Sequence, residues 1–278
     1  ERPASVVKEL VENAIDAKAN AVTVELKDGG LTLIRVTDNG CGIPKDQVKI
    51  AFLRHATSKI QSVEDLLTVS SLGFRGEALS SISAVSQVEL VTKTAEGFSG
   101  VSYKIYGGQE EDFSEIGAPD GTTFLVKNLF YNTPARRKFL KSAATEAGYV
   151  EQMMIHMSLS HPEISFKFIH NNKNKIYTSG NGNIKDIIYH IYGKDVAKAL
   201  IPVEAQDQEI SLKGWIGKPH ISRGNRNYES YFINGRYIKS PLIYRAIEEA
   251  YKTFTMVHKY PFVCLDLQIP PELLDVNV

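Results

Sequence analysis

The hydrophobic pattern at the start of the chain predicts a helix followed by two strands. Residues 3–18 carry apolar side chains at helical spacing, and Pro3 suits a first helical turn because its missing N–H is not needed there. Residues 21–27 and 31–37 have the composition of strands, and the Asp28-Gly29-Gly30 turn between them indicates a hairpin.

More strands and helices follow in the first two thirds of the chain. The pattern predicts strands at 87–94, 99–106 and 122–127, a helix at 142–159 and a hairpin at 164–178. A helix followed by antiparallel hairpins is typical of an α+β sandwich and disfavours a doubly wound parallel sheet.

A turn-rich stretch at 179–183 indicates a domain boundary. After it the pattern predicts a helix at 184–192, strands near 209–217 and 228–234, a helix near 240–254 and a strand near 261–268. This order fits a second, smaller domain with one crossover connection. We therefore expect one domain at 1–182 and another at 183–278.

Composition narrows the possible partners. The 278 residues include 32 Lys plus Arg and 32 Asp plus Glu, so contact with nucleic acid needs a local basic patch.

Cys41 and Cys264 are far apart and lack metal-ligand spacing, which favours two reduced intracellular thiols. The sequence contains no apolar run near the roughly 18 residues of a membrane span, and no signal peptide is visible.

The first predicted helix carries three polar residues at helical spacing. Glu9, Asn13 and Asp16 follow at i, i+4 and i+7 and share one face. Such residues are commonly just solvated. An amide oxygen can also ligate Mg²⁺, and a carboxylate one turn earlier can accept a proton from an attacking water. These three residues therefore also fit a hydrolytic magnesium site.

Asp38-Asn39-Gly40-Cys41-Gly42 follows the second strand. Many strands end in such turns, so this motif alone is weak. The hairpin before it would return Asp38 to the Glu9 helix. A buried Asp there can accept a hydrogen bond from the adenine amine and reject guanine, whose oxygen would leave the acceptor unpaired.

Two further stretches suit a nucleotide. Gly73 to Glu77 open an apolar helix, and a helix start offers free N–H groups to phosphate. Taken alone, this stretch fits a plain loop-to-helix junction at least as well. Residues 54–76 lack a strong period, which is typical of a loop that closes over a ligand. Gly121-Thr122-Thr123 enters a strand and is uninformative alone.

Together these stretches resemble the GHKL ATPase superfamily, and within it the MutL-type DNA mismatch-repair proteins. The resemblance is nearly literal over 1–13, 54–59, 73–79 and 130–139. It is looser in the second domain, at 232–236 and 275–278. It implies a Bergerat-type (GHKL) α/β sandwich followed by a smaller βαβ-containing transducer domain.

The resemblance also implies roles for individual residues. Glu9 would be the general base, Asn13 would ligate Mg²⁺, and Asp38 would recognise adenine. Gly40 and Gly42 would let the backbone approach the base, and Thr123 would support the adenine pocket. Arg75 and Gly76 would hold the phosphates of ATP, and Lys59 would belong to a lid. The other expected nucleotide contacts are Asp16, Thr57, Ser58, Leu72, Gly73, Phe74 and Glu77.

Relatives of this kind carry two features beyond the given residues. One is a segment before the first helix that helps to pair two protomers. The other is a His-Pro-x-Lys stretch, after a sequence like Val276-Asn277-Val278, whose Lys reaches the γ-phosphate. We therefore expect the chain as given to hydrolyse ATP weakly.

The resemblance extends to partners. It implies an ATP-dependent homodimer or paralogue heterodimer, a mismatch-recognition partner of the MutS type, and sequence-independent DNA contact. Arg136, Arg137 and Arg236 are the DNA-binding candidates. The first two belong to a basic cluster with Lys138 and Lys141, and Arg236 belongs to a second cluster with Arg223, Arg226 and Lys239. On sequence alone, a solvated basic surface explains either cluster at least as well. Location would be cytoplasmic and nucleoid-associated in a bacterium, or nuclear in a eukaryote.

Other functions remain as alternatives. A type II topoisomerase ATPase region shares the pocket, but residues 130–139 match MutL proteins instead. A non-enzymatic interaction module is disfavoured by the joint presence of Glu9, Asn13 and Asp38. A sensor kinase is disfavoured because no His-bearing dimerisation helix precedes the predicted pocket.

Overall fold

A computed structural model describes residues 2–53 and 77–274. The chain divides into two units. The first comprises Glu1–Met154 and Glu163–Asn181, and the second comprises Ile155–Pro162 and Gly182–Val278. The prediction placed a single boundary after residue 182 and assigned Ile155–Pro162 to the first domain, whereas these residues belong to the second unit.

The first unit contains a mixed β-sheet. Its strands are β1 (Ala21–Lys27), β2 (Leu33–Asp38), β3 (Gln87–Lys93), β4 (Gly100–Tyr106), β5 (Gln109–Ile116), β6 (Gly121–Lys127), β7 (Ser165–His170) and β8 (Lys173–Tyr177). They lie in the order β5-β4-β3-β6-β2-β1-β7-β8. The β1–β7 pair is parallel, and the other neighbouring pairs are antiparallel.

Helices accompany this sheet. They are α1 (Pro3–Asp16), α2 (Ala78–Ala84), α3 (Pro134–Lys138) and α4 (Ala143–Ser160), whose last residues belong to the second unit. The apolar positions of α1 are buried, and the helix packs against β1, β2 and α2. Helical spacing thus turns one face of α1 towards the core and leaves Glu9, Asn13 and Asp16 partly exposed.

One face of the sheet is apolar across six strands. Strand register aligns a row of fully or almost fully buried residues: Phe168, Val24, Val36, Phe124, Leu90 and Tyr103. The opposite face is more exposed and carries ion pairs, including Arg35 with Glu25 and Lys127 with Glu89. This division between the faces produces the period-2 pattern that predicted the strands.

The second unit contains a five-stranded sheet in the order β12-β11-β13-β10-β9. Its strands are β9 (Leu200–Asp207), β10 (Ile210–Gly217), β11 (Glu229–Ile233), β12 (Arg236–Tyr237) and β13 (Val263–Gln268). Its helices include α5 (Ile184–Tyr192), α6 (Lys194–Lys198) and α7 (Pro241–Tyr251). Strands β11 and β13 are parallel, and α7 lies between them in the chain, which forms the expected βαβ connection.

The hydrophobic pattern does not predict strands β5 and β9, because both are edge strands. Most side chains of β5 are exposed, and those of β9 are exposed except for the buried Leu200 and the half-buried Val203. Neither strand therefore shows the apolar alternation that marks a half-buried strand. Pro202 in β9 lowers the strand signal further, and proline is tolerated at an edge.

Within the described ranges, no helix combines the length and the apolar character that a bilayer crossing requires.

Candidate functional site

Three polar residues interrupt the apolar face of the first sheet. Asp38 on β2 pairs with Thr122 on β6, and Thr122 pairs with Thr92 on β3. Their flanking partners in the same row are Val22 and Val101. All three side chains are buried: the exposed fraction is 8% for Asp38, 7% for Thr122 and 1% for Thr92. We call Asp38, Thr122 and Thr92 the polar row.

The Asp38 carboxylate is held by backbone groups. The Gly40 N–H donates to Asp38 Oδ1 at 2.8 Å, and the backbone of Thr122 also bonds this carboxylate. Burial raises the pKa of Asp38 above its ordinary value, and these two backbone hydrogen bonds oppose that rise. A buried carboxylate of this kind is a strong acceptor for a donor that enters from outside.

The segment after β2 is fixed at several points. Asn39 Oδ1 accepts from the N–H groups of Asn20 and Ala21, each at 3.0 Å. The Cys41 N–H donates to the Ala17 carbonyl at 2.9 Å, directly after α1. The hairpin therefore returns the Asp38 turn to the end of the Glu9 helix, as the sequence predicted.

The glycines of this turn allow close backbone contact. A Cβ at Gly40 would lie 2.7 Å from the Ala17 carbonyl oxygen and 3.0 Å from Asp38 Oδ1. Gly42 has φ +71°, and a Cβ there would lie 2.2 Å from the Lys93 carbonyl oxygen. A side chain at either position would push the turn away from α1 or β3.

The polar positions of α1 begin at the same end of the helix. Asp16 is the last residue of α1, and Asn13 and Glu9 lie one and two turns earlier. All three are partly exposed. The Glu9 side chain makes no hydrogen bond or ion pair with any residue that the structure describes. Glu9, Asn13 and Asp16 therefore form a line of polar side chains that runs along α1 away from the Asp38 turn.

Thr122, and not Thr123, is the threonine beside Asp38. Strand residues alternate between faces, so Thr123 lies on the face opposite the polar row. Its hydroxyl bonds Thr37 at 3.1 Å, and Thr37 is its antiparallel partner. The resemblance implies Thr123, the second threonine of Gly-Thr-Thr, and only the strand register distinguishes the two threonines.

Eight of the expected nucleotide contacts lie outside the described residues. These are Thr57, Ser58, Lys59, Leu72, Gly73, Phe74, Arg75 and Gly76. Glu77 is described, is partly exposed and immediately precedes α2. α2 packs against α1.

The basic candidates occur in both units. Arg136 and Arg137 are exposed on α3 in the first unit. Arg236 is partly exposed on the short strand β12 in the second. Arg226 is instead engaged locally: it bonds Glu248 and stacks on the rings of Tyr244 and Tyr260.

Comparison with known proteins gives the family of both parts of the chain. Residues 1–116 match the family "Histidine kinase-, DNA gyrase B-, and HSP90-like ATPase". Residues 188–278 match "DNA mismatch repair protein, C-terminal domain". Over its whole length the chain is 64% identical to the DNA mismatch repair protein MutL of Agathobacter rectalis and 46% identical to that of Geobacillus sp. (strain WCH70).

The chain belongs to the MutL family of DNA mismatch repair proteins. It spans 43% and 45% of the lengths of those two MutL proteins. The whole-chain match decides against the type II topoisomerase alternative. The first part of this MutL-type chain is a GHKL ATPase domain.

Two solved structures agree with the fold. The Aquifex aeolicus MutL ATPase domain complexed with ADP is 29% identical, with a TM-score of 0.73, and the match covers 98% of this chain and 93% of that one. The N-terminal domain of a DNA repair protein is 28% identical, with a TM-score of 0.85, over 100% of this chain and 86% of that one. The predicted GHKL sandwich followed by a smaller domain is confirmed.

Proposed function

We propose that this MutL-type chain binds ATP through the polar row and the Asp38 turn, and hydrolyses it slowly. The observation that carries the proposal is the buried Asp38, which lies with Thr122 and Thr92 on an otherwise apolar sheet face, beside a turn bonded to the end of α1. A buried acceptor is costly unless a donor pairs with it. The adenine amine is a donor of the required kind.

Several features support adenine at this place. The Asp38 carboxylate is fixed by backbone N–H groups, so it needs little rearrangement to accept a further bond. Guanine would present an oxygen to the same carboxylate and leave it unpaired. The related Aquifex aeolicus domain was solved with ADP, a nucleotide with the same base.

The phosphates would then extend along α1 towards Glu9. Asn13 supplies an amide oxygen, which suits Mg²⁺, and lies one turn from Glu9. The described residues include no group of three or more His, Cys, Asp or Glu side chains that could hold a metal. Mg²⁺ is usually held by one or two protein groups, waters and the phosphates of its nucleotide, so Asn13 would be its ligand from this helix.

Glu9 would act as general base. Its carboxylate has no described partner and lies on the same face of α1 as Asn13, so it can accept a proton from a water beside the γ-phosphate. Bound Mg²⁺ would supply charge neutralisation on the phosphates. A single carboxylate base suits slow hydrolysis that serves as a switch.

Hydrolysis is tested by steady-state phosphate release from the chain and its Glu9→Gln variant. We expect Glu9→Gln to reduce turnover by about 10²–10⁴-fold while ATP binding persists. Chelation of Mg²⁺ should abolish turnover of the unchanged chain. Glu111→Gln, on the exposed edge strand β5, is the matched control and should have no effect. Full turnover by Glu9→Gln would refute the assignment of the base.

Membership of the family supports a wider role. ATP binding would close a lid and pair two protomers, either identical or paralogous, and hydrolysis would reset them. The paired regions would hold DNA without sequence preference, through Arg136, Arg137 and Arg236, and coordinate a MutS-type partner in the cytoplasm of a bacterium. Gel filtration with and without a non-hydrolysable ATP analogue tests the pairing step, and an unchanged elution volume would contradict it.

A further inference from the structure

Thr92 is the most deeply buried member of the polar row, with 1% of its surface exposed. Its Oγ1 contacts three groups. The Ile43 N–H donates to it at 2.9 Å, the Gly121 carbonyl lies at 3.1 Å, and Thr122 Oγ1 lies at 3.0 Å. None of the site residues expected from the sequence was Thr92.

These contacts use the full capacity of a hydroxyl group. A hydroxyl has one proton to donate and two lone pairs that accept. The Gly121 carbonyl can only accept, and the Ile43 N–H can only donate. All three bonds form together only if Thr92 donates to Gly121 and Thr122 donates to Thr92. The burial of Thr92 favours this fully satisfied arrangement, because unpaired groups there are costly.

The direction of the Thr122 proton determines what Thr122 offers to a ligand. With its proton turned towards Thr92, the Thr122 oxygen keeps only acceptor sites for other partners. Asp38, its direct neighbour across the strands, is also an acceptor. Asp38 and Thr122 then form an acceptor pair that suits an amino group, either directly or through a water.

Thr92 also fixes the segment that follows the Asp38 turn. Its bond to the Ile43 N–H ties this segment to β3, next to the contact between Gly42 and the Lys93 carbonyl. One hydroxyl therefore connects β3, the entry to β6 and the chain after β2.

We propose that Thr92 is a positioning residue for base selectivity: its hydroxyl orients the Thr122 hydroxyl as an acceptor and anchors the Asp38 turn at Ile43, so that adenine is preferred over guanine. This inference rests on the proposed function. A threonine that merely fills its place in the strand would affect stability and leave the preference between the two bases unchanged.

The test compares the dissociation constants of ATP and GTP analogues for the 278-residue chain and its variants. Thr92→Val keeps the shape and removes the hydroxyl, whereas Thr92→Ser keeps the hydroxyl. Thr92→Cys replaces it with a weaker donor and acceptor, in case the valine variant does not fold. Thr37→Val removes a hydroxyl from the opposite face of the sheet and is the matched control.

We expect Thr92→Val to lower the preference for ATP over GTP by about tenfold. Thr92→Cys should lower it less, and Thr92→Ser and Thr37→Val should retain it. An unchanged preference in a folded Thr92→Val or Thr92→Cys variant would overturn the inference and leave ATP binding standing. If the unchanged chain bound neither nucleotide, the proposed function itself would be overturned, and this inference with it.

Discussion

Asp38 and Thr122 are direct antiparallel partners, and both side chains are buried on the same face of the sheet. Thr123, the next residue, turns to the other face and bonds Thr37. A difference of one position in the chain thus decides which threonine can take part in a site with Asp38.

This relationship predicts different effects for two neighbouring substitutions. Thr122→Val should weaken ATP binding by about tenfold, because it removes a hydroxyl next to the Asp38 carboxylate. Thr123→Val removes a hydroxyl of the same kind from the opposite face and should change affinity less than about twofold. Calorimetric titration with a non-hydrolysable ATP analogue measures both. Equal losses would show that the face of the sheet does not matter.

The candidate site could be predicted from the sequence where the chemistry is local. The helical spacing of Glu9, Asn13 and Asp16, and the hairpin that returns Asp38 to their helix, follow from periods and turn residues. Thr92 could not be found in this way. It belongs to the site only through its register with Thr122, and no local pattern encodes pairing between strands that are distant in the chain.

The close contact at Gly40 predicts that even one methyl group disturbs the turn. Gly40→Ala would place a Cβ 2.8 Å from the Ala17 Cβ and 3.0 Å from Asp38 Oδ1. We expect a loss of stability of about 1–3 kcal/mol, together with weaker ATP binding. Denaturant unfolding and nucleotide titration measure the two effects.

Gly117→Ala is the matched control for this change. Apart from its chain neighbours, no described atom lies within 4 Å of a Cβ at Gly117. Stability and nucleotide affinity should both stay at the level of the unchanged chain. A Gly40→Ala variant that behaved in the same way would show that the turn tolerates a side chain at Gly40.

A buried carboxyl in the second unit predicts a pH-dependent stability. Both carboxylate oxygens of Glu229 are buried, without a hydrogen-bond partner among the described residues. The pKa of Glu229 is raised to about 7: burial is the largest cause, the charge of Glu248 adds to the rise, and Arg226 opposes it. The folded state therefore favours the protonated form.

The sign of the effect follows from this raised pKa. The stability that protonated Glu229 contributes is fully present below its ordinary pKa of 4.5 and is lost as the pH rises through about 7. Glu229→Gln should therefore reduce the fall in stability between pH 5 and pH 8. Unfolding followed by the fluorescence of Trp215, the one tryptophan of the chain, reports this unit. Glu209→Gln, which alters an exposed carboxyl, should leave the fall unchanged.

The exposed arginines of α3 predict an electrostatic contribution to DNA binding. Arg136→Glu with Arg137→Glu should weaken binding to duplex DNA and reduce the salt dependence of log K by about two units of slope. Lys173→Glu with Lys175→Glu reverses two exposed charges on β8 of the same unit and serves as the control. If both double variants lost affinity equally, only net charge would matter and α3 would have no special role.

The most direct test of the nucleotide site is calorimetric titration of the chain, Asp38→Asn and Glu9→Gln with a non-hydrolysable ATP analogue and Mg²⁺. The assignments predict saturable binding by the unchanged chain and by Glu9→Gln, and loss of binding by Asp38→Asn, whose amide cannot replace a buried carboxylate acceptor. Binding by Asp38→Asn with the affinity of the unchanged chain would contradict the claim that Asp38 recognises the base.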